Sequence, residues 1–440
     1  MQRFHVSAQV ASLGLSMYVL GYGIGPLLFS PLSEIPAVGR NPPYIYTFGL
    51  FVILLVPAAL AKNVASFMVL RFLTGFFGSP CLATGGGSLA DMFSLLKLPY
   101  VLSAWAFSAT AGPALGPLLS GFSVVVKGWR WSMWELLWLA GPVWIVMFLF
   151  LPETSADNIL LRRARRLRKL TGNPMLKSQG EINQAKLTFR DILIDALWRP
   201  IQTVMLDPAI AFTAIYTALI YGIYYSFFEA FPIVYLEYFG FNLGEMGLAF
   251  LSIIVGAIIG VSLYLAYCYW VVEPSIRARG LGAPERRLIP ALGAAFLLPV
   301  GLFIFGKTQI SKNTTLSPLL NRVANALFTA WTAKPELHWI GPTIGVMIFT
   351  LGIFVVIQCI FLYLPLTYPQ YAASLFAGND FLRSTLAAGT IHFSSPLYIN
   401  LGIGPGVSLL AGLTCGCILG VFALWYFGAW LRAKSRFAAQ

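Results

Sequence analysis

Apolar residues follow one another along this chain in long runs that charged side chains seldom interrupt. Residues 6–33 contain no charged side chain, and neither do residues 44–61. A helix needs about 20 apolar residues to cross the hydrocarbon core of a bilayer, and many runs in this chain reach that length. We therefore predict eleven membrane-spanning helices, at 6–29, 44–61, 64–92, 99–126, 133–151, 208–231, 246–271, 288–306, 340–365, 384–402 and 406–430.

Two uncharged stretches near the C-terminus determine the last three predicted spans. Residues 339–379 form a run of 41 without a charge, and we expect its last part, LTYPQYAAS, to leave the bilayer core. Residues 384–431 form a run of 48, which GIGPG at 402–406 divides into two spans because glycine and proline interrupt helices. The tenth span, 384–402, is the least apolar of the eleven.

The overall composition supports the same fold class. Of the 440 residues, 58% are hydrophobic and 10% are charged, whereas a soluble domain carries about 25% charged residues. The five cysteines lie in or beside apolar runs, so we interpret them as buried packing residues and predict no metal site. The sequence therefore predicts an all-α membrane protein.

Basic residues predict the orientation of the helices. The net charge is +13, and ten lysines and arginines lie between residues 162 and 199. Because lysine and arginine are enriched in cytoplasmic loops, we place this segment, Lys97, Arg383 and the tail at 432–440 in the cytoplasm. The same bias accounts for the positive charge, so we expect no nucleic-acid partner. An odd number of spans then places Met1 outside.

The basic loop also predicts the division of the chain into domains. We expect an N-terminal bundle of five spans at 1–152, a cytoplasmic loop at 153–207, a C-terminal bundle of six spans at 208–431 and a tail at 432–440. Two six-helix halves joined by a cytoplasmic loop are a common plan for transporters. The simplest explanation of the unequal halves is that the first helix of a six-helix half is absent from this chain.

The motif SPLSEIPAVGR lies in the turn after the first span and contains Ser30, Glu34, Gly39 and Arg40. A carboxylate at a helix end can pair with an arginine and with the N-terminus of a neighbouring helix. One interpretation is a latch that closes the cytoplasmic side in one state of a transport cycle. The other is an ordinary interfacial ion pair worth under about 1 kcal/mol.

Two charged residues belong to the third span. Arg71 lies inside it, and an arginine within a membrane usually faces a cavity or a charged partner. The alternative is that Arg71 extends to the outer boundary, because Lys62 places it about two to three turns inside that boundary. Asp91 lies at the inner boundary, after three consecutive glycines.

The stretch ATAGPALGPLLSGF contains two glycine–proline pairs one turn apart. The two glycines therefore lie on one helix face, and the two prolines likewise share a face. Prolines bend the helix, and glycines allow a neighbouring helix to approach closely. A generic face of small residues is the alternative interpretation. The residues of this motif are Gly112, Pro113, Gly116, Pro117 and Gly121.

An aromatic face with one carboxylate follows from YGIYYSFFEAF, where Tyr221, Tyr225, Phe228 and Glu229 recur at helical spacing. Aromatic faces bind flat apolar or cationic molecules, and a carboxyl group in an apolar span can exchange protons near neutrality. Aromatic anchoring at the outer boundary is the alternative. The remaining polar groups in apolar spans that we consider for the cavity are Gln358, Tyr363 and His392.

These motifs, in this order, resemble the major facilitator superfamily, and in particular the twelve-helix drug–proton antiporters of fungi, near the fluconazole, benomyl and caffeine resistance transporters. The loop motif matches with two extra residues between the acid and Gly-Arg, Arg71 matches the fourth-helix motif, and GPALGP matches the antiporter motif of the fifth helix. The further matches are WRW at 129–131, LPET at 151–154, PERRL at 284–288, NDFLRS at 379–384 and LRAKSRFA at 431–438.

The resemblance implies a two-bundle helical fold and a proton-coupled antiporter that exports amphipathic small molecules by alternating access. It implies no enzymatic activity and no cofactor, the proton gradient as the energy source, and a multi-pass, monomeric protein of the plasma membrane. Arg71, Asp91 and Glu229 are then candidates for the proton pathway.

The chain departs from the family at two places. We expect the family's first helix to be absent from it, and residues 307–329 look inserted within an outer loop at 307–338, where Asn313 begins a possible glycosylation motif. Two alternative functions stay open. One is a truncated member that does not transport, and the other is a polytopic membrane enzyme, which would need convergent nucleophiles or acid–base pairs.

Overall fold

The computed structural model describes residues 6–185, 198, 201–280, 282–307, 338–368 and 372–435, and their regular structure is helical. Ten helices in these ranges are long and apolar enough to cross a membrane. With one further long helix they are numbered as follows: α1 (Ala8–Glu34), α2 (Asn41–Leu60), α3 (Val64–Met92), α4 (Leu98–Lys127), α5 (Arg130–Phe150), α6 (Pro208–Tyr238), α7 (Leu243–Arg279), α8 (Pro284–Gly306), α9 (Ile340–Thr367), α10 (Ala372–Leu401) and α11 (Ile403–Lys434).

Local sequence signals explain where several helices begin and bend. The Asp207 side chain accepts hydrogen bonds from the backbone of Ala209 and Ile210, and Pro208 occupies the first turn of α6. Pro80 begins the second part of α3 after a bend at Ser79. The last turns of α6, Pro232–Tyr238, form a π-helix because proline lacks the backbone donor of a regular helix.

The predicted start of the tenth span was wrong. The helix α10 begins at Ala372, so Asp380 and Arg383 lie inside it, and Arg383 does not belong to a cytoplasmic loop. These residues are three apart and form an ion pair, which lets an apolar environment accept both charges. The predicted break at 402–406 is confirmed by Gly402, whose φ of +84° separates α10 from α11.

Two short helices follow α5. The segment Ala156–Thr171 begins at Ser155, which caps it, and carries most of the basic cluster of the loop. A second helix, Gln179–Gln184, returns to it, and Arg168 pairs with Glu181 at 3.0 Å. The hydrogen bonds from Arg168 lower the pKa of the Glu181 carboxyl. The predicted outer insertion and its candidate glycosylation residue Asn313 lie outside the described residues.

The helices before and after this loop pack mainly among themselves, and the two groups meet chiefly along two pairs of helices. In the first group α1 packs on α3, and α2 packs on both α3 and α5. In the second group α8 packs on α9 and α11. Gly301 of α8 and Gly345 of α9 allow the backbones of these two helices to approach closely. The groups meet where α1 lies against α10 and where α4 lies against α7.

An aromatic core lies within the second group. Phe227 of α6 packs edge-on against Phe305 of α8 and Phe349 of α9, with ring centroids 5.2 and 5.3 Å apart. Phe231 extends the cluster along α6, and all four rings are fully buried. Aromatic edge-to-face packing of this kind fixes α6 on α8 and α9. The residues on the opposite face of α6, which is turned toward the first group, are therefore held in fixed positions.

Candidate functional site

A pocket lies where the two groups of helices meet. Its walls come from α3 and α4 on one side and from α6, α9 and α10 on the other. The wall residues are mostly aromatic or aliphatic, with one charged side chain: Leu82, Trp105, Ala106, Ala109, Thr110, Tyr221, Tyr224, Ile353, Ile357, Phe361 and Arg383.

The charged wall residue is the buried Arg383. Its side chain donates a hydrogen bond to Asp380, and the two residues are 8% and 5% exposed. The guanidinium carbon lies 4.4 Å from the centre of the Tyr221 ring. Among the described residues Arg383 Nε has no hydrogen-bond partner. An ion pair and a cation–π contact therefore hold this cation beside the pocket.

Three tyrosine hydroxyls join α1 to α6 next to this ion pair. Tyr22 and Tyr221 share a hydrogen bond, and Tyr225 lies 3.5 Å from both hydroxyls. Across the pocket, Tyr224 donates to the Thr110 carbonyl at 3.2 Å, which ties α6 to α4. The pocket is thus bounded by polar contacts that cross between the two groups of helices.

The predicted cavity residues are only partly brought together. Tyr221 lines the pocket, whereas Tyr225 and Phe228 stack behind it with centroids 5.5 Å apart. Gln358 is buried and donates to the Leu102 carbonyl at 3.4 Å, so it joins α9 to α4 without lining the pocket. Tyr363 is buried near the inner end of α9, where Thr367 donates to its carbonyl.

Sequence reasoning missed ten of the eleven wall residues, among them the aromatic Trp105, Tyr224 and Phe361 and the charged Arg383. The signal for Arg383 was present, because Asp380 and Arg383 alone interrupt the apolar sequence between residues 339 and 431. Trp105 gave no local signal. Its indole donates to the Cys81 carbonyl at 3.0 Å, a contact that depends on how α3 and α4 pack.

Glu229 lies toward the C-terminal end of α6, and His392 of a neighbouring helix is near it. Ser12 of α1 donates to Glu229 at 2.9 Å, and His392 of α10 is close enough to act electrostatically on that carboxyl. Both Ser12 and Glu229 are half-buried. The structure therefore places Glu229 between α1 and α10, away from the residues that line the pocket.

The loop motif forms a cluster at the ends of α1, α2 and α3, in which Ser30 is buried. Arg40 donates to Asp91 at 3.0 Å and to Ser33 at 2.9 Å, while its distance to Glu34 is 3.6 Å. Asp91, predicted for the proton pathway, is thus a partner of Arg40 in this cluster. The predicted pairing of Arg40 with Glu34 is present, but Asp91 makes the closer contact.

Glu153 of the LPET segment completes the loop cluster. Its carboxylate accepts the backbone N–H groups of Arg40 at 2.9 Å and Asn41 at 3.3 Å, at the start of α2. A carboxylate at a helix N-terminus is stabilised there by the exposed N–H groups. Gly39 has a φ of +81°, and a β-carbon at this position would collide with Glu153. The absence of a side chain at Gly39 therefore leaves the space that the Glu153 carboxylate occupies.

A second cluster joins the two groups of helices where α4 begins and α7 ends, the side predicted to face the cytoplasm. Glu273 of α7 accepts from Lys97, which immediately precedes α4, at 3.3 Å and from Tyr100 of α4 at 3.0 Å. Arg277, one turn along α7, pairs with the same carboxylate at 2.6 Å. Glu273 is thus a shared acceptor for residues of both groups, and we call these four residues the inner clamp.

The glycine–proline motif packs differently from its predicted pattern. The helix α4 continues through Pro113 and Pro117. A β-carbon at Gly112 or Gly116 would meet no described atom within 4 Å, whereas one at Gly121 would lie 2.7 Å from the Leu243 carbonyl oxygen. The close approach to a neighbouring helix is therefore made at Gly121.

Arg71 faces α1. It donates to the Gly14 carbonyl at 3.1 Å, and its guanidinium carbon lies 5.1 Å from the centre of the Tyr18 ring. Neither contact is with a carboxylate, and Arg71 does not line the pocket. These contacts anchor α3 to α1.

The sequence was then compared with known proteins. It matches the family model described as Major Facilitator Superfamily over residues 1–378. It is 49% identical over 437 residues to the MFS-type transporter pyvG of Aspergillus violaceofuscus, covering 99% of this chain and 76% of that protein. It is 38% identical over 444 residues to Fluconazole resistance protein 1 of Saccharomyces cerevisiae, covering 100% of this chain and 76% of that protein.

Another relative is the Cycloheximide resistance protein of Candida maltosa, which is 38% identical over 449 residues, with 100% of this chain and 77% of that protein covered. The fold resembles that of the proton:xylose symporter XylE with a TM-score of 0.61 at 14% identity, covering 97% of this chain and 88% of that chain. The predicted fold class and family are confirmed. This chain is a multi-pass integral membrane protein that belongs to the Major Facilitator Superfamily of transporters, and it is not an enzyme.

Proposed function

We propose that this transporter exports amphipathic small molecules across the plasma membrane in exchange for protons, by alternating access and as a monomer. The observation that carries the proposal is the pocket at the junction of the two groups of helices, with wall residues from both. A pocket in this position changes its exposure when the groups move relative to each other. The proton gradient would supply the energy, with no cofactor.

The chemistry of the wall supports amphipathic substrates. Trp105, Tyr224 and Phe361 offer aromatic surface, and Arg383 offers hydrogen-bond donors at one position. Two relatives that are 38% identical to this chain over the aligned residues are named for resistance to fluconazole and to cycloheximide, two small organic compounds. Export of such compounds is the function that agrees with both observations.

We assign the proton-carrying role to Glu229. It is half-buried between helices of the two groups, and its described partners are the Ser12 hydroxyl and the nearby His392. Asp380, in contrast, is held by Arg383 in a buried ion pair. A carboxyl group without a fixed cationic partner gains and loses a proton more readily than one in such a pair.

Two clusters would control access from the cytoplasm. The inner clamp joins α4 to α7 across the junction of the groups, so it must break when that side opens. The Arg40 cluster lies within the first group and joins α1, α2 and α3, so it can keep that group rigid during the motion. Binding of substrate or proton then shifts the populations of the two access states.

The test is uptake of fluconazole or cycloheximide into inverted membrane vesicles that contain this protein. An interior more acidic than the medium should drive accumulation, and collapse of the gradient with a protonophore should abolish it. Accumulation that ignores the gradient would disprove proton coupling. The absence of transport for any amphipathic compound would favour the alternative of a non-transporting family member.

A further inference from the structure

We infer that the central pocket selects aromatic molecules that carry a carboxylate or a comparable anionic acceptor group, and that Arg383 binds this group. The inference rests on the proposed function and narrows its substrate class. It predicts that aromatic cations, which aromatic cavities often accept, are poor ligands of this pocket. Three observations on Arg383 support it.

The first observation is the sign of the charge on the wall. Of the described side chains that line the pocket, Arg383 alone carries a charge, and no carboxylate is among them. Asp380 neutralises the guanidinium but is not itself a wall residue. A ligand in the pocket therefore meets the cationic member of the pair first, which favours an anion and disfavours an ammonium group.

The second observation is unused hydrogen-bonding capacity. A guanidinium has five N–H donors in a planar fork. One nitrogen of Arg383 donates to Asp380, while Nε has no partner among the described residues although Arg383 is only 8% exposed. A buried donor without an acceptor is destabilising, so a ligand oxygen that accepts this hydrogen bond binds more tightly.

The third observation is the fixed orientation of the guanidinium. Its carbon lies 4.4 Å from the centre of the Tyr221 ring, and Tyr221 is in turn held by hydrogen bonds to Tyr22 and Tyr225. The plane of the fork is thus set before a ligand arrives. Bidentate binding of a carboxylate needs this kind of pre-orientation.

The rest of the wall indicates what the acidic group is attached to. Trp105, Tyr224 and Phe361 bring three aromatic rings to the pocket, and Ile353 and Ile357 add aliphatic surface. These side chains match a flat hydrophobic body. The ligand that this pocket prefers is therefore a planar aromatic or conjugated acid, with its acidic group directed to α10.

The experiment measures binding of three matched ligands to the purified, membrane-reconstituted protein by titration calorimetry. The ligands are 2-naphthoate, 2-naphthamide and 2-naphthylmethylammonium, which share one ring system and differ in charge. We expect 2-naphthoate to bind about tenfold more tightly than 2-naphthamide, as one charge-assisted hydrogen bond provides. The ammonium compound should bind most weakly. Equal or tighter binding of the ammonium compound would overturn the inference.

Two variants separate ligand binding from a structural role. Arg383→Gln should remove the preference for naphthoate over naphthamide, and Asp380→Asn should increase it because the cation is then uncompensated. A loss of affinity for all three ligands by the same factor in Arg383→Gln would show that Arg383 only shapes the pocket. If either variant fails to fold, the order of the three affinities in the unmodified protein still decides.

Failure of this inference is distinguishable from failure of the proposed function. If fluconazole or cycloheximide is exported but the affinity order of the naphthalene compounds is reversed, the exporter function stands and the anion preference falls. If the naphthoate preference is observed but no gradient-driven export is measured, the binding site stands and the coupled function falls.

Discussion

Arg383 and Arg71, two charged side chains within the described helices, each have specific partners. Arg383 pairs with Asp380 and lies over Tyr221, while Arg71 donates to a backbone carbonyl and contacts the Tyr18 ring. A charge inside a membrane protein is costly unless partners of this kind replace water. Glu229 differs because its described hydrogen-bond partner is a neutral hydroxyl. This difference is the reason that we assign it the proton.

We expect Glu229→Gln to abolish gradient-driven export, because the amide cannot carry a proton, and to leave exchange of substrate between two equal pools. The measurement is uptake into vesicles with and without a pH gradient. Glu237→Gln is the matched control, since Glu237 lies on the same helix but is exposed. If Glu229→Gln still accumulates substrate against a gradient, the proton is carried elsewhere.

The Arg40 cluster gives a second prediction at this scale. Asp91 lies 3.0 Å from Arg40 and is 29% exposed at its side chain, whereas Glu34 lies at 3.6 Å and is 44% exposed. We expect Asp91→Asn to slow export by about tenfold and Glu34→Gln by less than about twofold, since exposed and distant ion pairs contribute little. Initial export rates at equal protein abundance measure both. Equal effects would refute this ranking of the two carboxylates.

At the scale of the helix, apolar run length predicted most of the architecture. The break at Gly402 was predicted because glycine and proline coincide there, but the start of α10 was not. A rule that ends a span at a charge excludes Asp380 and Arg383, although two opposite charges three residues apart neutralise each other on one helix face. A charged residue thus marks the end of a span only where it has no partner of opposite charge on the same helix.

The packing of α4 on α7 gives a prediction about stability. A β-carbon at Gly247 would lie 2.6 Å from the Pro117 carbonyl oxygen, while one at Gly112 would meet no described atom within 4 Å. We expect Gly247→Ala to destabilise the protein by about 1–3 kcal/mol through steric overlap. Gly112→Ala should be neutral or stabilising by up to about 1 kcal/mol, because alanine favours helix. Thermal unfolding of the two purified variants compares them, and equal melting temperatures would contradict the packing.

At the scale of the whole molecule, the sequence motifs predicted the family, but they did not predict which residues meet in the pocket. Tyr221 was predicted from helical spacing, whereas Trp105, Phe361 and Arg383 come from three other helices. Periodicity reports which residues share a face of one helix. It does not report which faces of separate helices oppose each other, and the pocket consists of such opposed faces.

The inner clamp makes a prediction about the motion of the two groups. Because Glu273 accepts hydrogen bonds from Lys97 and Tyr100 across the junction, Glu273→Gln should open the inner side more often. We expect amide hydrogen exchange at the inner ends of α4 and α7 to become several-fold faster. Glu181→Gln is the control, since the Arg168–Glu181 pair is also a carboxylate–arginine contact but does not join the groups. Unchanged exchange in Glu273→Gln would show that the clamp does not hold the inner side closed.

The central claim is that substrate and proton move in opposite directions through one protein. The direct measurement uses proteoliposomes loaded with an exported compound and a trapped pH indicator, diluted into compound-free medium of the same pH. Efflux of the compound should drive protons inward, because coupling between two transported species is reciprocal, so the lumen should become acidic. In Glu229→Gln liposomes the lumen should stay at its starting pH. Efflux without any change of lumenal pH in the unmodified protein would contradict the account.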